Sequence, residues 1–200
     1  MGGLSLNPSL LARAHGNHRI DRTRAAHLIM ELAQALPGPM FVQTLASDEQ
    51  GILDDARLIH GLLKDRVIVK IPCTDTGLRI TRKLTVESIP VCQTAVFSVT
   101  QAVISAAAGA RWVAPYCNRI TAAGGNGVAT IGRMREAMAH QGLECRVLVA
   151  SLKSVEEVEA VLLTGADHLT MPLALLGQLS QHPLTDVATA RFSEDLAWDG

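Results

Sequence analysis

Short runs of β-branched and apolar residues alternate with helix-forming segments along almost the whole sequence. The runs, each bounded by polar or turn-forming residues, are Gly3–Leu6, Met40–Leu45, Val67–Ile71, Val91–Val96, Trp112–Tyr116, Arg146–Ala150 and His168–Met171. Successive runs begin about 20 to 35 residues apart, which is the length of one strand followed by a crossover helix. This alternation predicts a parallel sheet.

Between these runs, apolar residues recur at the three- and four-residue spacing of amphipathic helices. Helices are predicted at Asp21–Leu36, Asp48–Leu63, Thr76–Val86, Val99–Ala107, Val128–Gln141, Ser154–Leu163, Leu173–Leu179 and Thr185–Leu196. Asp21 is the predicted N-cap of the first of these helices, and the Pro-Gly-Pro segment at 37–39 ends it. No composition shift or Ser/Gly-rich linker separates the elements, so we expect residues 1–200 to form a single domain.

A parallel sheet of this kind is either doubly wound or curled into a β/α barrel. A doubly wound dinucleotide-binding protein carries a Gly-rich turn directly after its first strand, and no such turn follows Gly3–Leu6. The nearest candidate, GGNG at 124–127, trails its strand by several residues. Polar residues instead collect at or near the carboxyl ends of the runs, namely Asn7, Gln43, Lys70, Thr94, Tyr116, Arg119 and Ser151. Because these ends converge on one face of a β/α barrel, we predict a TIM (β/α) barrel.

Composition excludes several classes of partner. Lysine and arginine number 18 against 19 aspartates and glutamates, and 3% of the residues are aromatic. With neither a basic excess nor many stacking rings, no nucleic-acid partner is expected. The longest apolar region, residues 91–115, is interrupted by polar side chains, which argues against a membrane span. No secretory signal opens the sequence, and we expect a cytoplasmic protein.

Metal-ligand spacings are also missing from the sequence. No C-x-x-C pair occurs among the four cysteines, Cys73, Cys92, Cys117 and Cys145. Each lies at or near an apolar run, so we expect reduced, mostly buried thiols. His15 and His18 are close enough to share a metal, but no third ligand follows at a supporting spacing, and a solvated loop or helix end is the alternative. No metal site is therefore predicted.

Lys70 lies in the middle of the segment DRVIVKIPCT at 65–74, whose apolar residues are typical of a strand buried on both faces. Alternation places Lys70 on the same face as Ile68 and Pro72, pointing into the barrel. Burial disfavours an ammonium and lowers its pKa, which leaves a neutral amine able to attack a carbonyl carbon. The alternative is a lysine that snorkels or pairs with a carboxylate, but no Asp or Glu lies at the carboxyl ends of the predicted strands.

Six ordered segments carry a resemblance to a known family: NPSLLA (7–12), VIVKIPCT (67–74), QTAVFS (93–98), GARWVAPYCNRI (109–120), GGNG (124–127) and VLVASLKS (147–154). Together they resemble the fructose-6-phosphate aldolase branch of the transaldolase family. The resemblance implies a class I, Schiff-base aldolase, an aldehyde-lyase of carbohydrate metabolism that needs no metal or organic cofactor. Such an enzyme cleaves or forms a carbon–carbon bond between a dihydroxyacetone-type ketone and an aldehyde such as glyceraldehyde 3-phosphate.

The resemblance also implies the catalytic roles. Lys70 would form the iminium with the ketone donor, and the iminium would serve as electron sink. Tyr116, with Gln43 and Thr94, would hold the water that moves protons during imine formation and aldol cleavage. A glutamate in the Gln43 position and a phenylalanine in the Tyr116 position would instead resemble the transaldolases proper. The alternative for Tyr116 is an ordinary buried hydroxyl satisfied by a neighbour.

Substrate-binding roles follow from the same resemblance. Ser5 and Asn7 would line the donor pocket, with Ser5 standing where the family usually has threonine. Arg119 and Ser151 would bind the phosphate of the acceptor, a pairing that suits charge-assisted hydrogen bonding. The alternative for Asn7 is the cap of a following helix. The expected partner is therefore a small sugar or sugar phosphate.

One departure from the family concerns the first strand. The family's barrel has eight strands, whereas the pattern here contains seven, so the first strand, which ends in a substrate-contacting aspartate, is apparently missing and would precede residue 3. Either the true start lies upstream, another chain fills the gap, or the barrel is open and the enzyme impaired. An impaired barrel would serve as an oligomeric scaffold or a sugar-phosphate binder.

Two further expectations depend on the resemblance. Family members assemble into pentameric rings and pairs of rings, so we expect a homo-oligomer in which the last helix, Thr185–Leu196, packs on a neighbouring subunit. The nearest alternative activity is that of a transaldolase, which transfers a dihydroxyacetone unit between sugar phosphates.

Overall fold

A parallel sheet of seven strands forms the centre of the computed structural model, which describes residues 2–16 and 20–196. Strands β1 to β7 are Leu4–Leu6, Met40–Gln43, Val67–Pro72, Val91–Val96, Trp112–Pro115, Arg146–Val149 and His168–Leu169. They lie side by side in chain order, and the sheet curls into a half-barrel. Within the described residues β1 and β7 are the edge strands, and they do not pair with each other. The predicted TIM-barrel-like fold with seven strands is confirmed.

Helices connect successive strands, as the alternating pattern predicts. Helices α1 to α10 are Pro8–Ala14, Arg22–Ala35, Glu49–Leu63, Asp75–Val86, Val99–Ala107, Cys117–Ala122, Gly127–His140, Val155–Leu162, Leu173–Gln178 and Pro183–Asp195. A short 3-10 turn, Lys64–Arg66, leads into β3. The predicted strands and helices are all present with ends that move by one or two residues. Two short helices, α1 and α6, were not among the predictions.

Polar caps set the starts of the helices, most of them shortly after a strand. The side chain of each cap accepts a hydrogen bond from the backbone N–H three residues later, as seen at Asn7, Asp21, Asp48, Thr74, Ser98, Asn126 and Ser154. Such a bond satisfies one of the free N–H groups of the first helical turn. The chain therefore leaves the carboxyl ends of the strands and turns into the helices over a few residues.

The two faces of the sheet bury different sets of side chains. Val67, Val69 and Ile71 of β3 pack with helix residues in a large outer core. The other face carries a separate apolar cluster of Phe41, Ile68, Cys92, Trp112, Ala114 and Leu148. We call this second face the inner face. Lys70 alternates with the outer residues of β3 and lies on the inner face, as predicted.

Three expectations from composition concern the described residues as well. All four cysteines are free, and three of them are buried. Among residues 2–16 and 20–196, no helix is long and apolar enough to cross a membrane. In the same part of the chain, no group of three His, Cys, Asp or Glu side chains is placed to hold a metal ion, and His18 lies outside the described residues.

Candidate active site

Lys70 is the central residue of the candidate site. Strand β3 holds it on the inner face with only 5% of its surface exposed. Its Nζ lies 3.2 Å from Ser5 Oγ and 3.4 Å from the carbonyl oxygen of Leu6, both on β1, so the side chain reaches across β2. Within the described part of the chain no carboxylate forms an ion pair with this amine. The amine is therefore buried without a counter-ion.

Burial lowers the pKa of Lys70, because an ammonium loses hydration that no nearby charge replaces. The one opposing influence is Cys92, which is paired with Lys70 in the β3–β4 register. Burial also raises the pKa of the Cys92 thiol to about 12, so near neutral pH this thiol carries no charge that could hold a proton on Lys70. The lowered pKa of Lys70 therefore follows from desolvation.

A hydroxyl pair lies on the same face, nearer the carboxyl ends of the strands. Thr94 Oγ1 and Tyr116 Oη are 3.0 Å apart. Thr94 is buried on β4, two residues beyond Cys92 and hence on the same side of the strand. Tyr116 follows β5 directly and is bridged to Ala150 after β6. The pair thus joins β4, which neighbours the amine-bearing strand β3, to the end of β5, where it can hold a water molecule or a substrate oxygen.

A bulge in β4 follows Thr94 and reverses the direction of Val96. Ala95 has a left-handed φ of 55°, and the β4–β5 register shifts between Thr94 and Val96. The extra residue lets Thr94 face inward while Val96 packs in the outer core. An alanine at positive φ is strained by about 1 kcal/mol. Such irregularities are common beside functional sites.

Two side chains enclose the Tyr116 ring. The guanidinium carbon of Arg119 lies 4.7 Å from the ring centroid, and Phe97 contacts the ring edge-on at 5.5 Å. Arg119 belongs to the short helix α6, which begins at once after Tyr116. Because α6 begins directly after Tyr116, the exposed guanidinium group of Arg119 in its first turn lies over the Tyr116 ring.

The remaining predicted residues occupy strand ends without joining these contacts. Gln43 is paired with Lys70 in the β2–β3 register and is half-buried. Asn7 is the N-cap of α1, and its Oδ1 accepts from the N–H of Leu10 at 2.9 Å. Ser151 follows β6 with a left-handed φ of 63°. In residues 2–16 and 20–196, no side-chain hydrogen bond links these three to Lys70 or to Tyr116.

The structure adds three contributors that the sequence did not reveal. The carbonyl oxygen of Leu6 contacts the amine through the backbone, for which no side-chain signal exists. Phe97 packs on Tyr116, and the rarity of aromatic residues was the one available hint. Asp55, buried in α3, accepts from the N–H groups of Leu45 and Ala46 at 2.8 Å and holds the loop after β2 in place.

A parallel β/α half-barrel that presents a buried lysine with a lowered pKa and no carboxylate partner among the described residues has the features of a Schiff-base enzyme. The sequence model of the family described as "Transaldolase/Fructose-6-phosphate aldolase" matches residues 1–198. The chain belongs to this family and is an aldolase-type enzyme of class I. This result confirms the resemblance to the transaldolase family drawn from the sequence motifs.

Several curated relatives match over nearly the whole chain. A protein of Desulfitobacterium hafniense named "Probable transaldolase" is 34% identical over 195 residues, which cover 98% of this chain and 88% of the relative. Proteins with the same name from Thermoplasma volcanium and Thermus thermophilus are 34% and 32% identical. The alignments cover 96% and 98% of this chain and 84% and 88% of those relatives.

Solved structures at low identity share the fold. Inosine 5'-monophosphate dehydrogenase from Legionella pneumophila superposes with a TM-score of 0.60 at 14% identity, covering 88% of this chain and 58% of that chain. A mandelate oxidase superposes with a TM-score of 0.53 at 17% identity, covering 71% and 50%. The chain thus spans only about half the length of these structures, and the likeness is one of fold.

Proposed function

We propose that this enzyme cleaves and forms the carbon–carbon bond between a dihydroxyacetone-type ketone and an aldehyde such as glyceraldehyde 3-phosphate. The observation that carries the proposal is the buried Lys70 amine, whose pKa is lowered by desolvation and which has no carboxylate partner among the described residues. A lowered pKa increases the fraction of neutral amine, which is the nucleophile that Schiff-base chemistry requires.

The reaction begins when the lone pair of Lys70 Nζ attacks the ketone carbon. The carbinolamine then loses its oxygen as water and becomes an iminium. In the cleavage direction, a base removes the proton of the hydroxyl on the adjacent carbon, the carbon–carbon bond breaks, and its electron pair moves into the iminium to give an enamine. The aldehyde departs, and protonation of the enamine followed by hydrolysis releases the ketone and restores Lys70.

The proton transfers fall to the hydroxyl pair of Thr94 and Tyr116, acting through a water molecule. Their separation of 3.0 Å supports this role, because two hydroxyls at that distance can share a water and relay a proton. Gln43, level with Lys70 on the neighbouring strand, completes the set that orients this water. Arg119, close to Tyr116, would neutralise an acceptor phosphate together with Ser151.

The donor side of the site is formed by β1 and the residue that follows it. Ser5 Oγ, already 3.2 Å from the amine, would donate to or accept from the hydroxyls of a dihydroxyacetone unit. The Oδ1 atom of Asn7 caps α1, and its amide nitrogen, which makes no hydrogen bond within residues 2–16 and 20–196, remains a donor for the substrate.

A transaldolase that transfers the three-carbon unit between sugar phosphates is the second candidate, and the names of the relatives favour it for those proteins. Gln43 and Tyr116 support the aldolase, since the resemblance associates transaldolases proper with glutamate and phenylalanine in these positions. We expect free dihydroxyacetone to react with glyceraldehyde 3-phosphate at a rate that exceeds transfer from a sugar-phosphate donor. A higher transfer rate would instead assign the chain to the transaldolases.

Borohydride trapping tests the proposal directly. With dihydroxyacetone present, reduction is expected to add one reduced donor to the chain, and peptide mass spectrometry is expected to locate it on Lys70. The Lys70→Met variant should remain unmodified, whereas the exposed Lys153→Met variant should be trapped like the parent chain. A parent chain that binds sugar phosphate yet cannot be trapped would favour the impaired barrel that serves as scaffold or binder.

A further inference from the structure

A cavity of about 420 Å³ opens at the amino-terminal ends of β5 to β7, the end of the sheet opposite to the Lys70 site. Its wall includes Trp112 and Arg146, the first residues of β5 and β6, and Asp167, which precedes β7. Arg111 and Arg135 complete the charged part of the wall. The chemistry proposed above uses none of these residues.

Only part of the positive charge in this cavity is compensated. Arg135 Nη1 lies 3.0 Å from Asp167 Oδ2, and the same carboxylate oxygen accepts from the N–H of Val147 at 2.7 Å. Asp167 is therefore occupied by one arginine and by the backbone. Glu144, at the exposed rim, forms no ion pair with any arginine in the described ranges.

The two other arginines both border the ring of Trp112. The guanidinium carbons of Arg111 and Arg146 lie 5.6 Å and 5.5 Å from the ring centroid. Across residues 2–16 and 20–196, neither guanidinium has a hydrogen bond or an ion pair. Contact with the ring attracts both cations to the same residue. An anion that both guanidinium groups bind would supply acceptors for their donor positions.

Trp112 supplies a second observation. The residue is nine-tenths buried, and its indole N–H has no acceptor in the part of the chain that the structure describes. The cavity wall therefore combines two unpaired guanidinium groups with a tryptophan whose polar atom is also unsatisfied. Buried donors without acceptors are uncommon in folded proteins, so the Trp112 N–H needs a partner, and a ligand rich in acceptor oxygens that also binds the two exposed guanidinium groups would provide one.

We propose that this cavity binds a phosphate group through Arg111 and Arg146, at a site separate from the Lys70 site. Phosphate suits the arrangement because its oxygens accept hydrogen bonds from two guanidinium groups at once. The volume is that of a small-molecule pocket, and the chain as a whole has a formal net charge of −1, which does not favour an extended nucleic-acid surface. The inference is independent of the proposed aldol reaction.

Tryptophan fluorescence measures this binding. The chain contains two tryptophans, so a Trp198→Phe background leaves Trp112 as the reporter beside both arginines. Inorganic phosphate and glycerol 3-phosphate should each change its emission in a saturable way, with dissociation constants of about 1 mM, as expected for two partly hydrated charge-assisted contacts. Tighter binding of the ester identifies an organic phosphate as the ligand, and equal affinity identifies free phosphate. No emission change with either compound overturns the proposal.

Matched variants separate this site from the proposed acceptor site. Arg111→Gln and Arg146→Gln should each weaken binding by about tenfold, since each removes one charged donor. Arg133→Gln, an exposed change on the same helix as Arg135, should leave it unchanged. The Arg119→Gln variant is also expected to retain phosphate binding at the cavity. Loss in Arg119→Gln with retention in Arg111→Gln would place the phosphate at the other end of the barrel and refute the proposal.

Chemical modification of the unmutated chain gives a test that does not depend on whether the variants fold. Phenylglyoxal modifies accessible guanidinium groups, and peptide mass spectrometry reads each arginine separately. Phosphate should protect Arg111 and Arg146 but leave the exposed Arg133 reactive. Equal modification of all three with and without phosphate would overturn the proposal. Trapping of dihydroxyacetone on Lys70 should proceed in the Arg111→Gln chain, so failure of this site and failure of the aldolase proposal give different results.

Discussion

At the scale of single residues, desolvation of Lys70 has two effects. It lowers the pKa of the amine, which favours attack on a carbonyl, and it lowers the stability of the fold. Below the lowered pKa of the folded state the amine is protonated in both states, and folding must desolvate a charge. Between that pKa and the ordinary value of 10.5, the unfolded chain binds a proton that the folded chain does not. Unfolding therefore takes up a proton in this window, and the free energy of unfolding rises with pH.

Replacement of this amine should stabilise the fold. We expect Lys70→Met to increase the free energy of unfolding by about 1 to 3 kcal/mol near neutral pH, because folding then no longer has to desolvate an amine that is protonated in the unfolded chain. The gain should shrink as pH rises from the lowered pKa of the folded state towards 10.5, where the unfolded chain also loses its proton. Urea titrations at several pH values measure it, with Lys153→Met as the exposed control. A gain that grew with pH would contradict the lowered pKa.

The hydroxyl pair should act as a unit. Tyr116→Phe removes one of two oxygens that lie 3.0 Å apart, and we expect turnover to fall by about 10²- to 10³-fold with the fold retained. Thr94→Val, nearly identical in volume, should cost a similar factor. If both oxygens hold the same water, the double variant should be little worse than either single variant. Multiplied losses in steady-state rates would show that the two hydroxyls act separately.

At the scale of elements, local patterns predicted the sheet well because the central strands β2 to β6 have 4 to 6 residues and show their burial in their own sequence. Helices α1 and α6 have only 7 and 6 residues and were missed, whereas α9, also with 6 residues, was predicted because three of them are leucines. Asn7 and its proline did indicate a cap, which the structure confirms. Alternation in β3 sufficed to place Lys70 on the inner face.

Contacts between distant elements could not be predicted in this way. Ser5 and Lys70 are 65 residues apart, and only the order of β1, β2 and β3 in the sheet brings their polar atoms together. The bulge at Ala95 leaves no mark in the sequence, since an alanine in a strand normally keeps the regular alternation. The cavity at the amino ends of β5 and β6 brings together Arg111, Arg135 and Arg146. No sequence motif connects these arginines, which come together only in the fold.

The packing of α6 against α7 gives a test at this scale. A Cβ added to Gly127 would lie 2.3 Å from the carbonyl oxygen of Cys117, whereas one added to Gly132 meets nothing nearer than Thr164 at 3.9 Å. Gly127→Ala should therefore destabilise the fold by about 1 to 3 kcal/mol. Gly132→Ala, on the same helix, should stabilise it by about 0.5 to 1 kcal/mol through helix propensity.

Thermal unfolding measures the stability of the Gly127→Ala and Gly132→Ala variants, and aldol assays measure their activity. Because α6 carries Arg119 over the Tyr116 ring, a shift of α6 in Gly127→Ala should also lower the rate with a phosphorylated aldehyde. The rate with an unphosphorylated aldehyde should fall less. Equal stability of the two variants would show that α6 and α7 separate without cost.

At the scale of the whole molecule, the apolar side of the last helix is not covered by the described part of the chain. Helix α10 contains no buried residue, and Leu184, Val187 and Phe192 are 71%, 67% and 60% exposed. Positions 184, 188 and 192 recur every four residues, so their side chains lie on one side of the helix with Val187 beside them. An exposed apolar stripe of this kind is typical of an interaction surface. We infer that α10 packs on another copy of the chain, as the family resemblance implies.

Light scattering coupled to gel filtration tests this assembly. The parent chain should elute as a multiple of 21.3 kDa, with five or ten copies expected from the resemblance. The double variant Val187→Glu with Phe192→Glu should form smaller assemblies than the parent chain, because burial of a carboxylate without a partner is costly. Ser193→Glu, on the opposite side of α10, should leave the mass unchanged. An assembly that persists in the double variant would be held together elsewhere, and the unpaired edges of β1 and β7 are then the surfaces that can extend the sheet into a neighbour.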